Sequence, residues 1–194
     1  MLLLKDLPKY ETLLAYSKRY RNVNPDALEA YFNLLRVASD VLDGLERYYA
    51  KNGTSQGRFT VLALLNREPD KPLCPAELAE RSGVTRATMT GLLQGLETDG
   101  LIKRTMCTAD KRMCYVALTN KGRKYLDSVL PDLFRRLGQL MDGVNEKESK
   151  NLVKLLEKVR GRIPALMATD GEPAVNPKPL SRPIVAPLRA HAGR

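Results

Sequence analysis

Residues 71–100 read KPLCPAELAERSGVTRATMTGLLQGLETDG, and they predict two short helices joined by a tight turn. Cys74 and Pro75 open the first helix, because proline is favoured in the first helical turn. Gly83 supplies the turn, since glycine readily adopts the positive φ that ends a helix. Thr85 is a favoured capping residue and precedes the second helix. The stretch therefore predicts a helix-turn-helix.

The second helix has an exposed face of uncommon composition. Its predicted core stripe consists of Val84, Met89, Leu92, Leu93 and Leu96. A surface helix without a partner is usually rich in Glu and Lys, but the outward positions here are small or hydrogen-bonding. Hydroxyl groups that reach phosphates and an arginine that can bond guanine favour insertion into a DNA major groove over exposure without a purpose. The predicted DNA contacts on this helix are Thr85, Arg86, Thr88, Thr90 and Gln94.

A β-hairpin is predicted directly after the second helix. Residues 101–106 and 113–118 alternate in polarity, so they can pair as strands around a tip at 107–112. Such a hairpin is a wing, and basic side chains on it can reach the DNA backbone or the minor groove. The predicted wing contacts are Arg104, Lys111 and Arg112. Phosphate would repel Asp110, so its predicted role is to hold Arg112 by a charge-assisted hydrogen bond.

The hairpin also carries Cys107 and Cys114, which raises the alternatives of a thiol site or a metal clip. A structural zinc site needs four ligands, and the only histidine, His191, lies in the C-terminal tail, so zinc is not expected at this tip. A disulfide needs Cys107 directly opposite Cys114, whereas a register shifted by one residue places Cys107 opposite Met113. Nearby bases would stabilise a thiolate. A redox role for the two cysteines therefore stays open.

The charge distribution favours a polyanionic partner. The chain of 194 residues has a net charge of +10. Residues 81–124 contain nine Lys or Arg against three acids, so this window alone carries +6. A concentrated basic window of this kind is typical of nucleic-acid binding.

Several function classes are excluded by what the sequence lacks. It has no Gly-rich phosphate loop and no nucleophile elbow, so we expect neither an enzyme nor a bound cofactor or metal. No apolar run approaches the roughly 18 residues of a membrane span, and the start lacks the pattern of a secretory signal. We therefore expect a cytoplasmic protein without a membrane partner.

Long amphipathic helices are predicted on both sides of the winged segment. One runs over 24–51 with two apolar stripes, and another runs over 119–141. Asn145 and Glu148 form a capping-box pattern that opens a last helix. That helix carries a further apolar stripe at Leu152, Leu155, Leu156, Val159, Ile163 and Leu166. Because a helix that packs on one core needs only one stripe, we interpret these helices as a homodimerisation module.

The predicted fold class is mainly α with a small β-hairpin wing. Residues 1–22 form an N-terminal extension with a short helix, and 53–119 form the winged helix-turn-helix domain. The segments 23–52 and 120–168 together form the helical dimerisation region. The Pro-rich, basic residues 169–194 have too few apolar residues to pack, so they predict a flexible tail.

The assembled motifs resemble the MarR (multiple antibiotic resistance regulator) family of winged-helix transcription factors. The matching parts are LAERSGVTRATMTGLLQGLETDGLIKR, the wing tip with Asp110 and Arg112 followed by VALTNKGR, and GVNEKESKNLVKLLEKV. The resemblance covers about residues 25–165. It implies a homodimer that binds a pseudo-palindromic duplex operator, usually as a repressor released by a small ligand or by oxidation.

The resemblance also implies roles for individual residues. Thr85, Arg86, Thr88 and Thr90 stand at groove and phosphate positions, and Asp110 with Arg112 stands as the wing pair. Effectors of such proteins, often aromatic acids, commonly sit between the dimerisation helices and the winged helix. Candidate effector contacts are Tyr31, Arg36, Tyr48, Tyr49 and Arg58.

One departure from the family pattern concerns Gly91 and Gly95, which stand where such recognition helices often carry a long polar residue. Base readout is therefore expected to depend more heavily on Arg86 and the wing. Two alternatives to a ligand-responsive repressor stay open. One is a thiol-based redox-sensing regulator, and the other is a winged-helix module that binds protein, which would lack salt-dependent binding to duplex DNA.

Overall fold

The computed structural model describes residues 5–68, 71–106 and 114–167. The predicted fold class is confirmed, because helices dominate and one antiparallel pair of strands is present. The elements are α1 (Tyr10–Arg19), α2 (Pro25–Lys51), α3 (Gln56–Arg67), α4 (Pro75–Ser82), α5 (Arg86–Thr98), β1 (Ile102–Met106), β2 (Cys114–Leu118), α6 (Asn120–Leu140), α7 (Glu146–Arg160) and α8 (Ile163–Met167). None of the helices in these segments combines the length and apolar character needed to cross a membrane.

Side-chain caps fix where several helices begin. The Oδ1 atom of Asn24 accepts the Ala27 N–H at 3.1 Å, and Pro25 is the first residue of α2. At the start of α4, the Glu77 carboxylate accepts the backbone N–H of Cys74 at 3.0 Å. This hydrogen bond is the main cause that lowers the pKa of Glu77 below its ordinary value. Capping satisfies N–H groups that would otherwise lack partners at a helix start.

The chain divides into two compact units, and the first comprises Met1–Leu126. Its core is formed by aliphatic side chains of α3, α4, α5 and the hairpin, which are fully excluded from solvent. They include Val61, Leu62, Leu78, Leu96 and Val116, each with an exposed fraction of 0%. Fully burying such side chains contributes about 1.5 to 3 kcal/mol each. The buried sides of the helix-turn-helix helices pack into this core.

The short helix α1 packs on α2. Leu13 is its one buried residue and is 1% exposed. At the start of α1, the Tyr10 hydroxyl donates to the Asp26 carboxylate at 2.6 Å. A buried leucine and a charge-assisted hydrogen bond therefore attach the N-terminal extension to the long helix.

The hairpin pairs β1 with β2, with Ile102 opposite Leu118 at one end and Met106 opposite Cys114 at the other. Leu73, just before α4, extends the pairing by exchanging two backbone hydrogen bonds with Val116, at 3.2 and 2.9 Å. The hairpin is thus joined to the start of the helix-turn-helix as well as to its end.

The second unit comprises Asp127–Arg194, and its described part holds the end of α6 together with α7 and α8. The predicted capping box is confirmed, because Asn145 accepts the Glu148 N–H at 3.0 Å and Glu148 accepts the Asn145 N–H at 2.9 Å. The prediction of a single last helix that continues to Ile163 and Leu166 is wrong, because the helix that begins after Asn145 is shorter. It ends at Arg160, and α8 begins after the turn at Gly161 and Arg162.

The apolar stripe of α7 is not covered within the described part of the chain. None of the residues of α7 is buried. Its leucines and valines remain exposed at Leu152, Val153, Leu155, Leu156 and Val159. The compact unit Met1–Leu126 contains α2 together with the winged helix. The predicted dimerisation region, formed by 23–52 with 120–168, therefore stays a prediction. The predicted tail at 169–194 lies outside the described residues.

Candidate nucleic-acid interface

The turn between α4 and α5 has the predicted geometry. Gly83 has a φ of +66°, and the Val84 N–H donates to the Ala79 carbonyl oxygen at 3.1 Å. The Thr85 hydroxyl oxygen accepts the Thr88 N–H at 3.1 Å, which confirms Thr85 as the cap of α5. A positive φ costs glycine little, whereas a side chain here would be strained.

The packing of α5 separates a buried side from an exposed side. Met89 and Leu93 are each 1% exposed and Leu96 is 0% exposed, which holds the helix against the core. All five predicted contacts on this segment are exposed, together with two small residues: Thr85, Arg86, Ala87, Thr88, Thr90, Gly91 and Gln94. A Cβ atom added at Gly91 would have no neighbour within 4 Å, so this side of α5 is open.

The threonine hydroxyls on α5 differ in what they can offer a DNA molecule. The Thr90 hydroxyl donates its proton to the Arg86 carbonyl oxygen at 2.9 Å. The Thr85 and Thr88 hydroxyl oxygens lie 2.9 Å apart, so one of the two donates to the other. Each hydroxyl has one proton, and phosphate oxygens only accept. One hydroxyl of the Thr85–Thr88 pair therefore keeps a proton for a phosphate, while Thr90 must rotate to supply one.

Arg104 joins the wing to α5. Its guanidinium lies 3.1 Å from the Glu97 carboxylate, and the Arg104 side chain is 29% exposed. A carboxylate partner and partial burial favour a role in holding the hairpin against α5. The predicted contact between Arg104 and DNA stays a prediction.

The described part of the hairpin fixes its register. Cys114 lies opposite Met106, and it alternates with Val116 and Leu118, which are 0% and 3% exposed. Alternate residues of a strand share one face of the sheet, so Cys114 has the parity of these two core residues, as predicted; its side chain is half-buried, and Met106 opposite is 59% exposed. Met106 occupies the cross-strand position that a disulfide would need for Cys107. Cys107 itself lies outside the described residues, as do Asp110, Lys111 and Arg112, and their predicted roles stay predictions.

The five candidate effector contacts do not converge within one chain. Arg36 and Tyr48 are 12 positions apart on α2, which is about 18 Å along the helix axis. Arg36 forms an ion pair with Asp40 on its own helix, and Tyr31 is 49% exposed.

The other candidates lie near the end of α2. The Tyr49 ring stacks on Phe59 with centroids 4.6 Å apart, and burial raises the pKa of Tyr49. The Tyr48 ring meets that of Tyr49 edge-on at 5.9 Å. Arg58 contacts α5 and its C-terminal cap, through the Gly95 carbonyl oxygen and the Asp99 carboxylate. An effector role for the five residues stays a prediction.

Three charged residues that support α5 were not predicted. Glu97 pairs with Arg104, Asp99 pairs with Arg58, and the Lys121 ammonium donates to the Asp99 carbonyl oxygen at 2.8 Å. Asp99 carried a signal in the sequence, since an acid at the negative end of a helix is unfavourable unless a cation is near. The cation, Arg58, is 41 positions away, and no local pattern identifies it.

Comparison with known proteins gives consistent results. A family model described as MarR family matches residues 52–113. The HTH-type transcriptional repressor YetL of Bacillus subtilis is 38% identical over 153 residues, which is 79% of this chain and 92% of that protein.

Solved structures show the same fold. Sco3205, a MarR family transcriptional regulator from Streptomyces coelicolor in complex with DNA, superposes with a TM-score of 0.67 at 23% identity, over 73% of this chain and 89% of that chain. CouR from Rhodococcus jostii, bound to p-coumaroyl-CoA, superposes with a TM-score of 0.57 at 23% identity, over 69% of this chain and 90% of that chain.

Proposed function

The chain belongs to the MarR family of DNA-binding transcriptional regulators, and from this premise we propose that it is a homodimeric repressor that a small aromatic ligand releases from its operator. Its relatives are regulators and not enzymes. The observation that carries the proposal is the exposed face of α5, where Arg86 stands beside small and hydrogen-bonding residues on a helix that its own core holds firmly.

Base recognition is assigned to the N-terminal half of α5. Arg86 is exposed, and arginine can donate two hydrogen bonds to the major-groove edge of guanine. Ala87 and Gly91 are small, so the helix backbone can approach the floor of the groove closely. One hydroxyl of the Thr85 and Thr88 pair has a proton that it can donate to a phosphate, and such a contact would fix the register of the protein on the duplex.

The proposed homodimer is supported by the uncovered stripe of α7. Leu152, Leu155, Leu156 and Val159 are between 40% and 51% exposed. A contiguous apolar face of this kind is typical of a protein interface. A second copy fits the proposal because two recognition helices read the two halves of a pseudo-palindromic site.

The repressor role and the ligand are supported by relatives. YetL is described as a repressor, and CouR was solved with p-coumaroyl-CoA. For this chain, the half-buried Tyr48 near the end of α2 offers a ring on which an aromatic acid can stack.

The DNA-binding part of the proposal is tested by selection of bound fragments from the native genome, followed by a salt titration with the best fragment. We expect an inverted repeat to be enriched. The logarithm of affinity should fall linearly with the logarithm of salt concentration, with a slope of about 0.9 per neutralised phosphate. Binding that is insensitive to salt would favour the protein-interaction alternative.

The regulatory part is tested by transcription in vitro from a promoter that carries the selected site. The protein should lower transcript yield, and an aromatic acid should restore it. The Cys107→Ser, Cys114→Ser double variant should behave like the parent in both respects. Peroxide that releases the parent from DNA but leaves the double variant bound would replace the ligand with the redox alternative.

A further inference from the structure

The C-terminal end of α5 is held by cations from two other helices. Arg58 of α3 donates through Nη2 to the Gly95 carbonyl oxygen at 3.3 Å, and the same group pairs with the Asp99 carboxylate. Lys121 of α6 donates to the Asp99 carbonyl oxygen at 2.8 Å. We call Arg58, Gly95, Asp99 and Lys121 the α5 anchor.

The packing of Arg58 depends on the glycine beneath it. A Cβ atom at Gly95 would lie 3.9 Å from both Cζ and Nε of Arg58, which is ordinary contact distance. The guanidinium therefore lies directly against the helix backbone, and a longer side chain at position 95 would compete for its place. The Arg58 side chain is only 24% exposed. This gives a physical reason for Gly95 at a position where a long polar residue was expected.

The electrostatics of the anchor depend on both charges. The C-terminal end of a helix carries partial negative charge, so the Asp99 carboxylate is unfavourable there without a cation. The guanidinium of Arg58 offsets both, and its planar group fixes a direction as well as a distance. Loss of Arg58 would remove the partner of the Asp99 carboxylate and leave Lys121, which donates to the Asp99 carbonyl oxygen, as the remaining cation of the anchor, and we expect this end of α5 to shift.

The backbone at the C-terminal end of α5 connects the helix directly to the wing. Gly100 has a φ of +69°, and the N–H groups of Gly100 and Leu101 donate to the carbonyl oxygens of Glu97 and Leu96 at 2.8 and 2.9 Å. This hydrogen-bond pattern closes the helix, and β1 begins at Ile102. Asp99 therefore lies at the junction of α5 and the wing, where a shift is expected to reach both.

We propose that Arg58 is a positioning residue for sequence discrimination, which acts through Asp99 and the Gly95 carbonyl group to fix the direction of α5 on DNA. The proposal rests on the proposed function of α5. A helix of 13 residues is about 20 Å long, so a tilt at its C-terminal end changes the aim of Arg86 at the other end. Hydrogen bonds to base edges need close alignment, whereas attraction to phosphates tolerates displacement.

The test compares the parent with Arg58→Met, Asp99→Asn and the double variant. The probes are the 30-bp duplex most enriched by the parent from a random library and a scrambled duplex of the same composition. The readout, at fixed salt, is the dissociation constant for the scrambled duplex divided by that for the enriched duplex. A high ratio means strong discrimination. Each single variant should lower this ratio on the order of tenfold, and the double variant should lose no more than either single variant, because coupled residues are not additive.

The charges of the two single variants separate positioning from simple attraction. Arg58→Met removes a positive charge and Asp99→Asn removes a negative one, so long-range electrostatics predicts opposite effects on DNA binding. The proposal predicts that both variants lose discrimination. The matched control is Arg67→Met, which removes the same charge from an exposed position on the same helix and should keep the parental ratio.

Several outcomes overturn the proposal. One is that Arg58→Met keeps the parental discrimination. Another is that the two variants change DNA affinity in opposite directions while the ratio of dissociation constants stays unchanged. A loss that circular dichroism traces entirely to unfolded protein at the assay temperature would assign Arg58 a merely structural role. If Arg58→Met does not fold, Asp99→Asn decides the question alone. A parent that enriches no duplex would instead overturn the proposed function.

Discussion

The helices α5 and α7 have similar lengths, 13 and 15 residues, and similar apolar periodicity, yet they use it differently. The helix α5 buries Met89, Leu93 and Leu96 in its own chain, whereas α7 buries none of its residues. Periodicity thus predicts an apolar face, but it does not show whether that face packs within its own chain.

The polar faces of the two helices also differ. The exposed side of α5 has a single cation, Arg86, among small residues, whereas α7 carries Lys147, Lys150, Lys154 and Lys158 with acids between them. Mixed charges at helical spacing are typical of a solvated face. We therefore interpret the polar side of α5 as a DNA-binding surface and the polar side of α7 as a solvent-exposed surface.

The largest expected effect comes from charging the apolar face of α7. The Leu155→Asp, Leu156→Asp double variant should be monomeric and should lose more than roughly 100-fold in operator affinity, since two linked half-site contacts strengthen each other. Sedimentation measures the mass, and fluorescence anisotropy measures the affinity. Lys154→Glu, on the opposite side of α7, should stay dimeric. A double variant that remains dimeric would remove the proposed interface.

The next prediction compares a residue of α5 that is buried within one chain with a residue of α7 on the proposed interface between two chains. Leu96→Ala should lower the free energy of unfolding by about 2 to 5 kcal/mol at any protein concentration, because Leu96 is fully buried within one chain. Leu155→Ala should instead lower the urea midpoint at high protein concentration, where the parent is dimeric, and this loss should shrink on dilution towards the monomer, because stabilisation by a partner grows with its concentration. Equal behaviour of the two variants across a hundredfold dilution would abolish the distinction drawn between α5 and α7.

A smaller effect is expected on the DNA-facing side of α5. Arg86→Ala should weaken operator binding by about 1 to 3 kcal/mol and relax preference at one base pair in each half-site, as a base-edge contact does. Selection from a randomised half-site measures both quantities. A loss that is equal for all sequences would make Arg86 a phosphate contact.

The smallest effect concerns the cap of α4, which belongs to the winged helix alone. The pKa of Glu77 is lower in the folded chain than its ordinary value of 4.5, so the ionised carboxylate stabilises the fold above that pH. This contribution is lost as the pH falls through the lowered pKa. Glu77→Ala should cost at most about 1 kcal/mol at pH 7, because the side chain is partly exposed. The difference in unfolding free energy between parent and variant should be full at pH 7 and should shrink as the pH is lowered below 4.5, and a difference that stays constant over this range would exclude the ionised cap.

Local features of the molecule could be predicted from the sequence. Helix starts followed from the capping residues Asn24, Thr85 and Asn145, and the turn followed from Gly83. These depend on neighbours a few positions apart, which a sequence displays directly. The exposed face of α5 followed from the same periodicity.

Features that depend on distant neighbours could not be predicted. The pairing of Cys114 with Met106 is set by packing of the hairpin on the core, so the sequence left two registers open. The pair of Arg58 and Asp99 joins residues 41 positions apart, and the sequence shows only that Arg58 is a cation, so its contact with Asp99 cannot be predicted beside its candidate role at the effector site. Tertiary contacts decide which role such a side chain takes.

The number of chains bound to one operator tests most directly the proposal that α5 reads DNA while α7 joins two copies. Native mass spectrometry of the complex with the selected 30-bp duplex should give two chains per duplex. A duplex that keeps only one half-site should bind more than roughly 100-fold more weakly. One chain per duplex, with equal affinity for the full site and the half-site, would contradict the proposal.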